Sequence, residues 1–114
     1  MSKRDYLLYV EDILDSIEAI KEFVKDLQFE DFLNDRKTYS AVLREYIVIG
    51  EAVSKIIDLL ERKYPAYPWR MIKDFRNIIV HEYFGVDNKI VWDLTVKELN
   101  ELKRYIVELK KSGV

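Results

Sequence analysis

The side chains best suited to chemistry gather in one stretch, Trp69-Arg70-Met71-Ile72-Lys73-Asp74-Phe75-Arg76-Asn77-Ile78-Ile79-Val80-His81-Glu82-Tyr83-Phe84. In helical register Asn77 and His81 stand one turn apart, and Arg76 and Tyr83 two turns apart. Ile72, Phe75 and Ile79 form a core-facing stripe. Lys73, Arg76, Asn77 and His81 fall in the arc beside it, with Val80 among them. Arginine carries a fixed cationic fork that suits phosphate. Histidine gains or loses a proton near neutral pH. Asparagine orients a neighbour or donates to an oxyanion. Such a set is suited to breaking a phosphodiester without a metal. A plainer reading stands beside this one. A histidine near a helix C-terminus is often a dipole contact, arginine and asparagine on helices are usually solvated, and Tyr83 alone would more often be packing.

Composition narrows what else is available. The chain has 114 residues, no cysteine and one histidine. It therefore has no disulfide, no thiolate nucleophile and no cysteine zinc site, and within one chain no multi-histidine metal cluster. A carboxylate-only Mg²⁺ site stays possible. The sequence shows no glycine-rich phosphate loop, no HExxH and no serine elbow. The net charge of −2 argues against a protein that coats nucleic acid through bulk positive charge, but not against a local basic groove. Charged residues make up 35%, with both signs interspersed, which suits long solvated helices. Met1-Ser2-Lys3-Arg4-Asp5 carries no apolar leader pattern, and no apolar run reaches the roughly 18 residues of a membrane span. A cytoplasmic protein of one domain, residues 1–114, is expected.

The elements that must position the site follow from periodicity. Val10, Ile13, Ile17, Ile20, Val24 and Leu27 recur at steps of three and four, predicting a helix over about 3–27. Residues 28–37 read as a connector with one helical turn. Tyr39, Val42, Tyr46, Ile49, Val53, Ile56 and Leu60 predict a second helix over about 37–63. Gly50 inside it costs about 1 kcal/mol relative to alanine, which close approach by a neighbour would explain. Tyr64-Pro65-Ala66-Tyr67-Pro68 breaks the pattern. A third helix is expected from about Trp69 to Phe84, stopped by Gly85, with a short one over 87–93. Thr95-Val96-Lys97-Glu98 has capping-box spacing, ahead of a last stripe of Leu99, Leu102, Ile106 and Leu109. Trp69 and Trp92 suit core or interface anchors. The fold class is an all-α bundle of four main helices, its long first pair antiparallel.

The octamer Arg76-Asn77-Ile78-Ile79-Val80-His81-Glu82-Tyr83 resembles the Arg-x4-His-x-Tyr signature of the HepT-like toxins, a branch of the HEPN group of helical domains. Ile49-Gly50-Glu51-Ala52, Pro68-Trp69, Phe84-Gly85-Val86-Asp87 and Val91-Trp92 resemble further family elements in matching order. Asp74-Phe75 departs from a Gly followed by Leu or Met found in many members. The resemblance implies a four- to five-helix HEPN domain and a homodimer whose motif helices face each other across a cleft. It implies a metal-independent endoribonuclease that leaves a 2′,3′-cyclic phosphate. Arg76 would bind and polarise the phosphate, His81 would transfer protons and Asn77 would orient them, with Lys73 in support. It also implies a MntA-type nucleotidyltransferase antitoxin that adds AMP to Tyr83, the ATP and Mg²⁺ belonging to that partner, so that this chain needs no cofactor. The alternatives are a non-catalytic helical subunit that binds nucleotide or RNA within a nucleotidyltransferase complex, and a helical assembly protein with no site.

Overall fold

Why the chain is helical throughout is visible at its caps. In the computed structural model, which describes residues 1–113 and only the backbone of Phe84, helix α1 spans Lys3–Val24. Ser2 caps it: the Asp5 N–H donates to Ser2 Oγ at 3.2 Å, and the Ser2 N–H to Asp5 Oδ2 at 3.1 Å. Asp26 then takes a left-handed φ of 63°, which turns the chain out of the helix. Helix α2, Phe29–Leu33, is the single turn expected in the connector. Asp35 opens α3, Arg36–Lys55, by accepting from the Thr38 N–H at 3.1 Å and the Thr38 hydroxyl at 2.6 Å. Those two bonds hold the Asp35 carboxyl below the usual aspartate range, the hydroxyl bond contributing most.

The expected long second helix is divided. Ile56 leaves helical geometry at φ −120°, ψ 19°, its N–H bonding to Val53 O three residues back, and α4 spans Ile57–Lys63. Ile56, Ile57, Leu59 and Leu60 are all buried. The break thus falls within a run that is buried on both sides of it.

Helix α5 spans Trp69–His81. Trp69 is buried, and its indole N–H donates to Tyr64 O at 3.0 Å, closing the proline break. The helix ends earlier than the expected Phe84: Glu82 leaves helical geometry, and residues Tyr83–Gly85 form a 3₁₀ turn. Gly85 is thus part of the turn and is not the cap. The Tyr39 hydroxyl donates to Val86 O at 2.9 Å and ties this turn to α3.

Asp87 caps α6, Asn88–Asp93, by accepting from the Lys89 N–H at 2.8 Å. Here the capping-box expectation is overturned. Residues Leu94–Glu98 form a π-helical turn that runs directly into α7, Leu99–Lys111, and no helix begins at Thr95. Thr95 is buried and its hydroxyl donates to Val91 O at 2.8 Å, while Tyr46 Oη lies 2.7 Å from the same oxygen. The threonine has one proton, already given to Val91, so the Tyr46 hydroxyl donates to it. A buried tyrosine reaching across the core thus recruits Thr95 inward, where the spacing alone suggested a surface cap. Burial also pushes the Tyr46 phenol well above its ordinary range.

The core draws on every long element: Ile13, Ile17 and Ile20 from α1, Val42, Ile49 and Val53 from α3, Ile79 from α5, and Leu102, Ile106 and Leu109 from α7. Helix α1 packs on both α3 and α7, and α3 on α5. Ion pairs Glu11–Lys110 and Glu18–Lys103 set α1 and α7 antiparallel. Contacts Tyr39–Val86, Tyr46–Phe75 and Glu61–Arg70 run the same way between the segment α3–α4 and the segment from α5 to Val86. Trp92 stacks on Phe29 and Phe32, centroids 6.1 and 5.3 Å away, as an anchor for α2 and α6. Among the described residues there is no β-strand, and no helix is long and apolar enough to cross a membrane. The architecture is the all-α bundle expected from the periodicity.

Candidate active site

Helix α5 crosses α3 at Gly50, and that crossing decides where Arg76 goes. A β-carbon at Gly50 would meet the Arg76 side chain, with Cγ at 2.8 Å and Cβ nearer still, and the carbonyl of Ile72 at 3.3 Å. The absent side chain is therefore the space that the arginine stem occupies. This is the close approach that offsets the helical cost of a glycine.

From that seat the Arg76 guanidinium meets two acceptors on two helices. Nη1 donates to Asn77 Oδ1 at 2.9 Å, and Nη2 pairs with Glu51 Oε2 at 3.1 Å. Nε is buried and has no hydrogen-bond partner among the described residues. An unpaired buried donor costs about 1–3 kcal/mol, whereas a half-exposed ion pair returns at most about 1 kcal/mol. The arrangement is thus poorly explained as a stabilising device. It holds a charged fork in one orientation.

The structure unites Arg76 and Asn77 and sets His81 apart. His81 is exposed at the last position of α5 and makes no hydrogen bond or ion pair among the described residues. Five residues turn a helix by about 140° and raise it by about 7.5 Å. Arg76 leans onto α3 while His81 faces out, so Lys73, Arg76, Asn77 and His81 spread over about 140° of α5 and do not share one side. Lys73 is half-buried one turn before Arg76. Tyr83 is half-buried against the core in the 3₁₀ turn. It lies close enough to Tyr39 for its charge to help raise the Tyr39 phenol, the larger cause there being burial.

Three apolar side chains of α5 stand in solvent beside the exposed Arg70, Asp74 and His81. Met71 is 67% exposed, Ile78 48% and Val80 44%, flanking Asn77 and His81. Among the described residues, no three of His, Asp and Glu converge into a group able to hold a metal ion. Glu51 is the site residue that the chemistry of α5 alone did not reveal. It stands 25 positions away on another helix. The pointer in the sequence was Gly50, whose expected close neighbour proves to be Arg76.

The fold is thus an all-α bundle that carries Arg76, Asn77 and His81 on one helix. The chain belongs to the family described as Ribonuclease HepT-like, whose model matches residues 13–109. It is 40% identical to a protein of Thermococcus cleftensis named "Probable ribonuclease HepT", over 96% of this chain and 99% of that one. It is 38% identical to a candidate RNase of Methanocaldococcus jannaschii, over 90% of this chain and 86% of that protein. A candidate RNase of Caldanaerobacter subterraneus subsp. tengcongensis is also 38% identical, over 89% of this chain and 90% of that protein. No solved structure matches the chain.

Proposed function

We propose that this chain is a metal-independent endoribonuclease toxin of a toxin–antitoxin pair, acting in the cytoplasm as a single-domain protomer of a homodimer. The observation that carries the reading is the Arg76 guanidinium held between Asn77 and Glu51, with an exposed His81 ending the same helix. The names of its relatives support RNA as the substrate.

Arg76 binds the non-bridging oxygens of the scissile phosphate and stabilises the charge that builds on them in the pentacoordinate transition state. Asn77 orients the fork. His81 transfers the protons, taking one as the 2′-oxygen attacks phosphorus or supplying one to the departing 5′-oxygen. The P–O5′ bond breaks as the P–O2′ bond forms, leaving a 2′,3′-cyclic phosphate and a 5′-hydroxyl. Because Arg76 and His81 of one chain open to different sides of α5, a second copy packed on Met71, Ile78 and Val80 would close a cleft holding two of each. Two copies of Lys73 would add positive charge there. This is how a chain with a net charge of −2 can hold a polyanion.

Regulation falls to Tyr83. A MntA-type nucleotidyltransferase antitoxin transfers AMP from ATP to the Tyr83 oxygen and releases pyrophosphate. The added anionic phosphate lies two residues past His81 and repels RNA from the cleft. ATP and Mg²⁺ are the antitoxin's, and this chain carries no cofactor of its own.

The test is cleavage of single-stranded RNA by the unmodified protein in EDTA, beside the same sequence with every 2′-hydroxyl methylated. The RNA is cut and its new 3′ ends carry cyclic phosphate, while the methylated copy survives. Cleavage of the methylated copy, or none of the RNA, overturns the reading. Tight RNA binding without cleavage would favour a non-catalytic subunit.

A further inference from the structure

We infer that Glu51 is a positioning residue for Arg76, setting the guanidinium plane for phosphate and keeping a carboxylate beside the phosphate site; this rests on the ribonuclease reading above. The two terminal nitrogens of Arg76 are held from different helices, Nη1 by Asn77 on α5 and Nη2 by Glu51 on α3. The base of the same side chain is held at Gly50, the residue before Glu51. An arginine fixed at its stem and at both ends of its fork has lost most of the rotamer freedom it would have in water.

A count of donors gives the consequence. A guanidinium has five N–H groups. One goes to Asn77, one to Glu51, and the Nε–H is buried without a partner. One N–H remains on each terminal nitrogen, available to the non-bridging oxygens of a phosphate. Glu51 has one other cation at the limit of pairing, Lys55 Nζ at 3.9 Å. Its short contact is to Arg76.

Glu51 has two separable effects. Its oxygen accepts a hydrogen bond that fixes the fork. Its charge repels the RNA backbone and weakens ground-state binding. Glutamine keeps the oxygen and removes the charge, whereas alanine removes both.

The experiment uses the full chain as wild type, Glu51→Gln, Glu51→Ala and, as a control for the other neighbour, Lys55→Ala. Steady-state cleavage of one single-stranded RNA in EDTA is measured together with hydrogen exchange at the Arg76 Nε–H, assigned through Arg76→Lys. Glu51→Ala is expected to lower kcat by at least 10-fold and to lose the slow exchange of the buried Nε–H. Glu51→Gln is expected to restore both to within about threefold, with KM below wild type. Lys55→Ala is expected to match wild type. Wild-type kcat in Glu51→Ala overturns the inference, and so does a Glu51→Gln variant as slow as Glu51→Ala. If the wild type cuts no RNA, the ribonuclease reading fails. The exchange arm still decides this inference: slow Nε–H exchange that survives Glu51→Ala refutes it.

Discussion

Replacing Gly50 by alanine sets two known magnitudes against each other. Alanine in a helix interior is favoured over glycine by about 1 kcal/mol, so propensity alone makes Gly50→Ala stabilising. The new methyl would sit 2.8 Å from Arg76 Cγ, closer still to its Cβ, and 3.3 Å from Ile72 O. Arg76 Cβ cannot swing aside by rotation, because it is fixed to the backbone of α5. Relief requires α5 to move away from α3, and overpacking of this kind costs about 1–3 kcal/mol, occasionally more. The upper half of that range applies, so the net loss is about 1–2 kcal/mol. For a chain of this size that lowers Tm by roughly 4–8 °C. Moving α5 also displaces Arg76 from Glu51 and Asn77, so RNA cleavage falls at least 10-fold at temperatures where the variant stays folded. Urea denaturation and single-turnover cleavage on the same preparation check both outcomes. A Gly50→Ala variant about 1 kcal/mol more stable, with unchanged cleavage, would refute the crossing geometry and the role given to it.

Other outcomes follow from the same structure. Thr95→Val leaves the Tyr46 hydroxyl buried without its acceptor and costs about 1–3 kcal/mol in urea denaturation, while adding Tyr46→Phe recovers most of that loss. Asp26→Gly, at the exposed residue with φ of 63°, raises stability by about 0.5–1 kcal/mol, read as a higher urea midpoint. Burial, with Glu101 and Glu98 nearby, pushes the Tyr67 phenol up to about 12. The unfolded chain then loses this proton near pH 10 while the native one keeps it, so stability falls as pH rises from 10 towards 12, measured as the urea midpoint against pH. Co-expression with a cognate nucleotidyltransferase adds AMP mass to the peptide containing Tyr83; addition at another residue would refute the regulatory role.

What the sequence made legible was periodic or local. The stripes Val10 to Ile20 and Leu99 to Leu109 named the buried faces of α1 and α7, because a helix repeats its face every three or four residues. Gly50 announced a close neighbour because glycine in a helix has to be offset by something. The rest depended on contacts distant in the chain. Thr95 has the spacing of a cap, but Tyr46, 49 residues earlier, draws its hydroxyl inward. Ile56 sits in an unbroken apolar pattern, yet the helix breaks there, and nothing in the periodicity marks the position. Arg76 and His81 were read as one set, but five residues turn a helix by about 140°, so the arginine packs onto α3 at Gly50 while the histidine faces out. Glu51 entered the site only once α3 and α5 were packed together.

The central claim is that Arg76 and His81 carry out RNA cleavage. Initial rates on one single-stranded RNA in EDTA, for wild type, Arg76→Ala and His81→Ala at matched stability, test it most directly. Loss of a transition-state charge contact or of a proton-transfer group costs on the order of 10²–10³-fold, so both variants should fall at least 100-fold. Either variant cutting at the wild-type rate would contradict the account.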